Sequence, residues 1–600
     1  MPALPHFLVT FGLQLFILYQ CSQSYEFGDP SSYMCDESLE NTGRDFHYRG
    51  VNLGGFLVLE PWITPSLFYQ FLGTDVKYGD AAIEKTGMDM HSFCKSLGPE
   101  EGNTQLRRHW EAWVQPQHIE KIADAGLDSV RIPIGDWMFK PYGAYQGCTD
   151  GAVDELERVL DLCEQHNIKA ILDIHGIVGS QNGFDSSGMS ANVEWTSWKS
   201  INPMGVTTFM HWPICGANWY GEWDGLSQSY SNKNQTNINQ LYEVVEIITT
   251  NFKDHPAVEG LELLNEPWQF TPIDDLQEIY WNCYNIIQGI QPNWLVLMHD
   301  SFRFQPTTWQ GFMKNCPNVA LDTHIYQAWM SPIPAANLIE ATCNFYDIIR
   351  QMETLAGLPV IVGEWSLAVD NCAMWINGFN DNLPGYPLVE CDYLPCADPY
   401  MGSEQPGTPL NKAAPPQGPF GTGVSGPKYG SCPTSKLLTN DGLFYTNAAY
   451  AKLYTFDRAG HGWFFWNFRS ENEPKWSYEQ ALAEGWVLPD ARQITNDPRV
   501  EAACSTTLQT ALADQSWNKL LMDDPDLTGI TKAPAYVSEG TEYSPIFTTL
   551  FWSGAGIVFL VVVSLVGLKF DKRFSKKHEQ AKLLHYSPKS EQRNAPSSGI

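Results

Sequence analysis

The 600-residue sequence predicts an α/β chain, a (β/α)8 TIM barrel with long βα-loop insertions and one C-terminal transmembrane helix. Three observations carry that prediction. Eight short β-rich runs alternate with helical patterns, two long interruptions follow strand ends, and an uncharged 25-residue segment lies near the C-terminus. Alternating strands and helices favour a parallel sheet, and eight strands is the number that closes a barrel. An open doubly wound sheet is the main alternative, and the lack of a glycine-rich phosphate loop after the first strand counts against it.

The runs are 48–55, 129–135, 169–176, 260–266, 294–300, 319–326, 360–365 and 463–469. Helical periodicity fills most of the gaps. Residues 117–125 carry Ile119, Ile122 and Ala123 on one face, and 153–166 carry Val153, Leu156, Val159, Leu160 and Cys163. Segments 240–252, 273–290, 337–356 and 446–459 behave alike. The interruptions at 179–239 (rich in Gly, Asn, Ser and Trp) and 370–440 (rich in Pro, Gly and Cys) leave the strand ends where barrels keep their sites. Loops this long are commonly functional, so they read as pocket walls, the second partly stapled by disulfides.

Residues 1–24 read as a secretory signal peptide, although the usual basic start is absent. Residues 25–510 form the catalytic domain and 511–543 a stalk. The uncharged span 544–568 is long enough for a bilayer, and Lys569, Lys572, Arg573, Lys576 and Lys577 follow it. That asymmetry expects a single-pass type I protein of the cell membrane, with 569–600 as a cytoplasmic tail and the large domain outside. Of 14 cysteines, cleavage near Ser24 would remove Cys21 and leave an odd number, so at least one thiol is expected free, buried or paired between chains. Asn234 opens an N-Q-T sequon in a polar stretch, a glycosylation candidate. A net charge of −31 argues against nucleic acid as a partner. Aromatic content of 13%, with 22 Trp, exceeds what core packing usually asks for and suits stacking on sugar rings.

Two runs end in a glutamate beside a turn signal: GLELLNEPW at 260–268 and PVIVGEW at 359–365. A carboxylate at the end of a buried strand is costly unless used or paired. Either glutamate alone could cap a helix or pair with an arginine. Glu266 and Glu364 together fit a carboxyl pair working on a glycosidic bond. Polar side chains gather at the other strand ends as well, from Asn52 and Glu60 through Arg131, Asp173 and His175 to His324, Tyr326, Trp466 and Arg469. Convergence of this kind marks a site without naming its substrate. No His/Asp/Glu group has convincing metal spacing, and no cofactor or metal is expected.

Six motifs sharpen the reading: RGVNLGG with LEPW (49–62), DIHG with GSQNGFD (173–185), LNEP (264–267), THIYQ (323–327), GEWS (363–366) and GWFFW (462–466). In order and content they closely resemble fungal exo-β-1,3-glucanases of glycoside hydrolase family 5, from about residue 45 to 504. The resemblance implies retaining hydrolysis of β-glucan from non-reducing ends, with transglycosylation at high acceptor concentration, by a monomer. It implies Glu266 as general acid/base and Glu364 as nucleophile. Glu60, Arg131, His175, Asp185, Asn265, His324, Tyr326 and Trp466 would surround the terminal glucose, with Phe184 and Trp329 as an aromatic pair at the pocket mouth. Cys372 and Cys504 match disulfide-bonded positions, which implies a bridge between them.

The chemistry of those roles is explicit. The acid must carry its proton near neutral or acid pH, so a partly desolvated Glu266 with a raised pKa is expected. Arg131 should lower the pKa of Glu364 and orient it, with Tyr326 bonded to the same oxygens. Asn265 would hold the sugar 2-hydroxyl. Plainer roles stay open: a structural ion pair for Arg131, a core position for His175, barrel filling for Trp466. So do a β-1,6- or β-1,4-glucanase and a glucan-binding surface protein that does not cut.

Overall fold

Eight parallel strands close on one another in the computed structural model, in the order β1-β12-β11-β10-β9-β8-β3-β2. The described residues are 33–39, 43–71, 87–190, 194–196, 208–210, 218–224, 229–328, 335–369, 373, 376, 441–471 and 473–505. The chain divides into two units, Met1–Lys532 and Ala533–Ile600, and every described residue belongs to the first. The signal peptide at 1–24, the span at 544–568, the cytoplasmic tail, Trp329 and Cys372 all lie outside the described residues.

The barrel strands are β1 (Tyr48–Asn52), β2 (Ser129–Gly135), β3 (Lys169–Gly176), β8 (Val258–Glu262), β9 (Leu295–His299), β10 (Val319–His324), β11 (Val360–Trp365) and β12 (Gly462–Phe465). Each overlaps one of the eight predicted runs, although β8 stops four residues short of Glu266 and β12 four short of Arg469. Closure comes from β12 beside β1, with Tyr48 opposite Gly462 and Val51 opposite Phe465. The strands are buried on both faces, as parallel strands wrapped by helices must be. Ile171, Leu295, Leu297, Ala320, Ile361 and Phe464 form their own cluster with Tyr48, separate from the larger strand–helix core.

Helices Pro116–Asp124, Ala152–Gln165, Gln235–Phe252, Ile273–Ile290, Ala335–Ala356 and Asp441–Ala459 fall within a few residues of the periodic segments. Met90–Trp113 is not among the expected helices. It is a kinked helix, with Gly98 at φ 76° and its start fixed by a capping box in which Asp89 accepts from Ser92 N at 2.7 Å. The first interruption holds two short antiparallel ribbons, β4–β5 (Glu194–Thr196 with Thr208–Met210) and β6–β7 (Trp223–Asp224 with Ser229–Tyr230).

Disulfides join Cys35 to Cys316, Cys94 to Cys148 and Cys343 to Cys504. The third corrects the expected Cys372–Cys504 bridge. Cys343 lies on helix Ala335–Ala356, which packs on helix Asp441–Ala459, and Cys504 meets Thr455 of the latter, so the two sulfurs converge there. Cys163 and Cys283 are free and buried, in keeping with the expectation of an unpaired thiol.

Candidate active site

Arg131 is the hub of the barrel's carboxyl end. It sits on β2 with a side chain 0% exposed. A guanidinium so placed must have its charge and all its donors met from within. Nε donates to Glu262 at 2.6 Å, Nη1 to Asn52 at 2.9 Å and to Glu364 at 3.0 Å, and Nη2 to Asn265 at 2.8 Å. Asp173 lies 3.2 Å and Asp322 3.8 Å away. Burial alone pulls its pKa down, but Asp173, Glu262, Glu364 and Asp322 more than offset this and raise it well above the ordinary range. Arg131 is therefore a structural ion pair and an orienting group at once.

Glu364 ends β11, its carboxyl held from three sides. Arg131 reaches Oε1, the Tyr326 hydroxyl donates to Oε2 at 2.7 Å, and His324 Nδ1 stands 3.4 Å from the same oxygen. His324 and Arg131 both pull its pKa down, as expected of Arg131. Burial outweighs them, so the net shift is upward rather than downward. Gly363 precedes it because Asp322 leaves no room for a side chain: the Gly363 N–H donates to Asp322 Oδ1 at 2.6 Å, and a Cβ there would collide with that carboxyl.

Glu266 follows β8 with its backbone at φ 44°, the left-handed region. Its side chain is 15% exposed, matching the partial desolvation expected of it. His324 Nδ1 donates to its Oε1 at 2.7 Å. The same nitrogen thus touches both glutamates. Asp322 lies 3.4 Å from the other ring nitrogen. Burial pushes His324 towards neutrality, but Glu364 and Asp322 prevail and hold its pKa well above 6.5.

Around this pair stand the other residues expected at the site. His175 shares a 2.6 Å hydrogen bond with Asp173 and stacks on Trp466, ring centroids 5.3 Å apart and planes 6° from parallel. The two rings lie face to face, and both are buried. Asn265 accepts from Arg131 through Oδ1, and its Nδ2 stands 3.4 Å from His175 Nε2. Glu60 accepts from Trp62 Nε1 at 2.8 Å; burial first, and then Asp185, push its pKa well up. Burial likewise lifts Asp185 to about 7, and its Oδ2 is buried without a protein partner. Two buried carboxyls that keep their protons can donate as well as accept, a combination suited to vicinal hydroxyls. Phe184 meets Trp268 edge to face at 5.8 Å. Its expected partner Trp329 lies outside the described residues. Asn234 caps helix Gln235–Phe252, its side chain accepting from Asn237 N, and is half-buried.

Glu262, Asp322 and Trp268 escaped sequence reading. A signal for the first two existed: each is acidic inside a run whose neighbours are all buried. Atoms of Glu266, His299 and His324 lie close enough to hold a metal. The donor set does not fit one. His299 Nδ1 accepts from Ser301 N at 2.9 Å, which leaves the proton of this buried neutral ring on Nε2. His324 is committed through both nitrogens.

Known proteins resemble this chain over most of its length. The family model described as cellulase (glycosyl hydrolase family 5) matches residues 94–382. A glucan 1,3-beta-glucosidase of Blumeria graminis is 30% identical over 76% of this chain and 90% of its own length. A probable glucan 1,3-beta-glucosidase A of Emericella nidulans is 30% identical, covering 74% and 89%. Glucan 1,3-beta-glucosidase 2 of Candida albicans is 26% identical, covering 81% and 92%.

Proposed function

This chain belongs to glycosyl hydrolase family 5, among the fungal glucan 1,3-β-glucosidases, and is a glucan-hydrolysing enzyme; on that premise we propose that it releases glucose from non-reducing ends of β-1,3-glucan with retention of configuration. One observation carries the stereochemistry. His324 Nδ1 is 2.7 Å from a Glu266 oxygen and 3.4 Å from a Glu364 oxygen. Those oxygens can be no farther apart than the two distances laid end to end. Retaining enzymes hold their carboxyls at about 5–5.5 Å, while inverting ones need about 6.5–9.5 Å to seat a water between them.

In this reading a Glu364 oxygen attacks the anomeric carbon while Glu266 gives its proton to the departing glycosidic oxygen. Water then attacks the glycosyl-enzyme, Glu266 takes the proton back, and Glu364 leaves as carboxylate. Arg131 and Tyr326 hold Glu364 in line. Asn265 turns its amide N–H towards the sugar 2-hydroxyl, because Arg131 occupies its oxygen. Glu60, Asp185 and His175 read the remaining hydroxyls, Trp466 supports the ring face and Phe184 lines the mouth. A second sugar replacing water in the second step gives transglycosylation. Defined laminari-oligosaccharides test the proposal. Glucose as sole first product, formed as the β-anomer by time-resolved NMR, supports it; the α-anomer, a ladder of oligosaccharides, or preference for β-1,6 or β-1,4 linkages overturns it.

The same proposal places the enzyme on the outer face of the cell membrane, with 1–24 removed, 544–568 spanning, 569–600 in the cytosol and Asn234 glycosylated. Detergent-phase partitioning of the full chain, lost on truncation before Ser544, and a mass loss at Asn234 on enzymatic deglycosylation are the expected results. A freely soluble full chain would refute the anchor.

A further inference from the structure

Arg303, in the loop after β9, is a half-buried cation whose bonded donors go to uncharged oxygens. Nη1 donates to Ser301 Oγ at 2.6 Å, and Nη2 to the carbonyls of Gln269 and Thr271. Ser301 Oγ in turn donates to the carbonyl of Pro267 at 2.7 Å and lies 3.3 Å from that of Trp268. One arginine and one serine thus gather the carbonyls of 267, 268, 269 and 271, the segment directly after Glu266. Holding a guanidinium against neutral oxygens costs free energy, and desolvation pulls its pKa down to about 10.

A second observation points to the same place. Glu266, Ser301 and Phe302 have φ of 44°, 57° and 58°. Left-handed backbone at a non-glycine residue is strained and persists only where the surroundings over-determine it. Here they do. Ser301 N donates to His299 Nδ1 at 2.9 Å, Phe302 N to Asp300 Oδ1 at 2.8 Å and Arg303 N to Asp300 O at 3.0 Å, while Thr323 Oγ1 anchors Asp300 Oδ2 at 2.8 Å. The loop after β9 is rigid against the barrel, and through Ser301 and Arg303 it grips the loop after β8. On the far side, Asn182 Nδ2 donates to the Glu266 carbonyl at 3.1 Å.

We propose that Arg303, acting through Ser301, is a positioning residue for Glu266: it holds that residue in its left-handed turn, so that the carboxyl is aimed at the glycosidic oxygen rather than at solvent. A carboxyl set about 1 Å off line would still bind its proton but deliver it poorly. The proposal rests on Glu266 being the acid/base.

The test separates proton delivery from folding. Glycosidic bonds with a poor leaving group need the acid; a 2,4-dinitrophenyl β-glucoside does not. Arg303→Met and Ser301→Ala should lower kcat/KM on laminari-oligosaccharides by about 10–100-fold, part of what a general acid supplies, and by less than about threefold on the aryl glucoside. Arg303→Lys should recover part of the loss, and azide, which needs no general base, should speed the variants' turnover of the aryl glucoside. Equal losses on both substrates, or none on either, would overturn the proposal. If Arg303→Met does not fold, Ser301→Ala decides by the same ratio. Failure of the β-1,3 reading shows separately, in the wild type, and the ratio is then taken on the β-glucan that the wild type does cleave.

Discussion

Nδ1 of His324 donates to Oε1 of Glu266 at 2.7 Å, joining the end of β10 to the loop after β8 across the pocket. Replacing the ring by His324→Asn withdraws a charged donor from Glu266 and a positive neighbour from Glu364. A charge-assisted hydrogen bond contributes about 1.5–3 kcal/mol, so kcat/KM should fall about 10- to 100-fold with the melting temperature little changed. A loss confined to KM would contradict this.

Glu266→Gln and Glu364→Gln should both fold normally by circular dichroism and lose activity by at least about 10²–10⁴-fold on glucan. Chemical rescue tells them apart. Azide should rescue Glu266→Ala with formation of β-glucosyl azide, and Glu364→Ala with formation of the α-product. The reverse pattern would exchange the assigned roles.

The Tyr326 hydroxyl donates to Glu364 Oε2 at 2.7 Å and so favours its ionised form. Burial already lifts the Glu364 pKa, against the pull of His324 and Arg131. The acid limb of the kcat/KM–pH profile should accordingly lie above the ordinary carboxylate range. Tyr326→Phe should move that limb to higher pH; an unmoved or lowered limb would count against Glu364 as the group that must be ionised.

Asp136 is buried, and burial lifts its carboxyl to about 7 despite bonds from Val178 N, Gln240 and Tyr142. A carboxyl raised on folding gives stability that is full below its unfolded value, near 3.9, and is lost as pH rises through its folded one. Asp185 and Asp300, also lifted to about 7 by burial, add in the same direction. The catalytic domain should melt on the order of 5 °C higher at pH 4.5 than at pH 7.5 as far as these groups decide it, and Asp136→Asn should flatten the slope. A slope unchanged by the substitution would show that Asp136 contributes nothing to it.

Peptide mapping without reduction should link Cys343 to Cys504, a bridge spanning 161 residues. Cys504→Ser should cost about 2–5 kcal/mol, read as a lower denaturation midpoint with activity at 25 °C retained. Recovery of a Cys372–Cys504 peptide instead would refute the pairing.

Local pattern carried the barrel. Eight runs buried on both faces, spaced by amphipathic helices, are legible because parallel strands cannot avoid being continuously apolar, and all eight formed where the pattern put them. The two glutamates were legible for the converse reason: an acid at the end of such a run has no packing rationale. What sequence order cannot carry is which polar groups meet. Arg131 finds Glu262, Asn52, Glu364 and Asn265 only because closure brings three other strand ends to its own. The bridge from Cys504 to Cys343 depends on two helices packing, and the brace on Glu266 depends on neighbouring loops sharing carbonyls. The sequence by itself determined the strands, most of the helices and the two glutamates of the site. The tertiary structure alone decided their partners and charge states, because desolvation and hydrogen bonding depend on distance in space rather than along the chain.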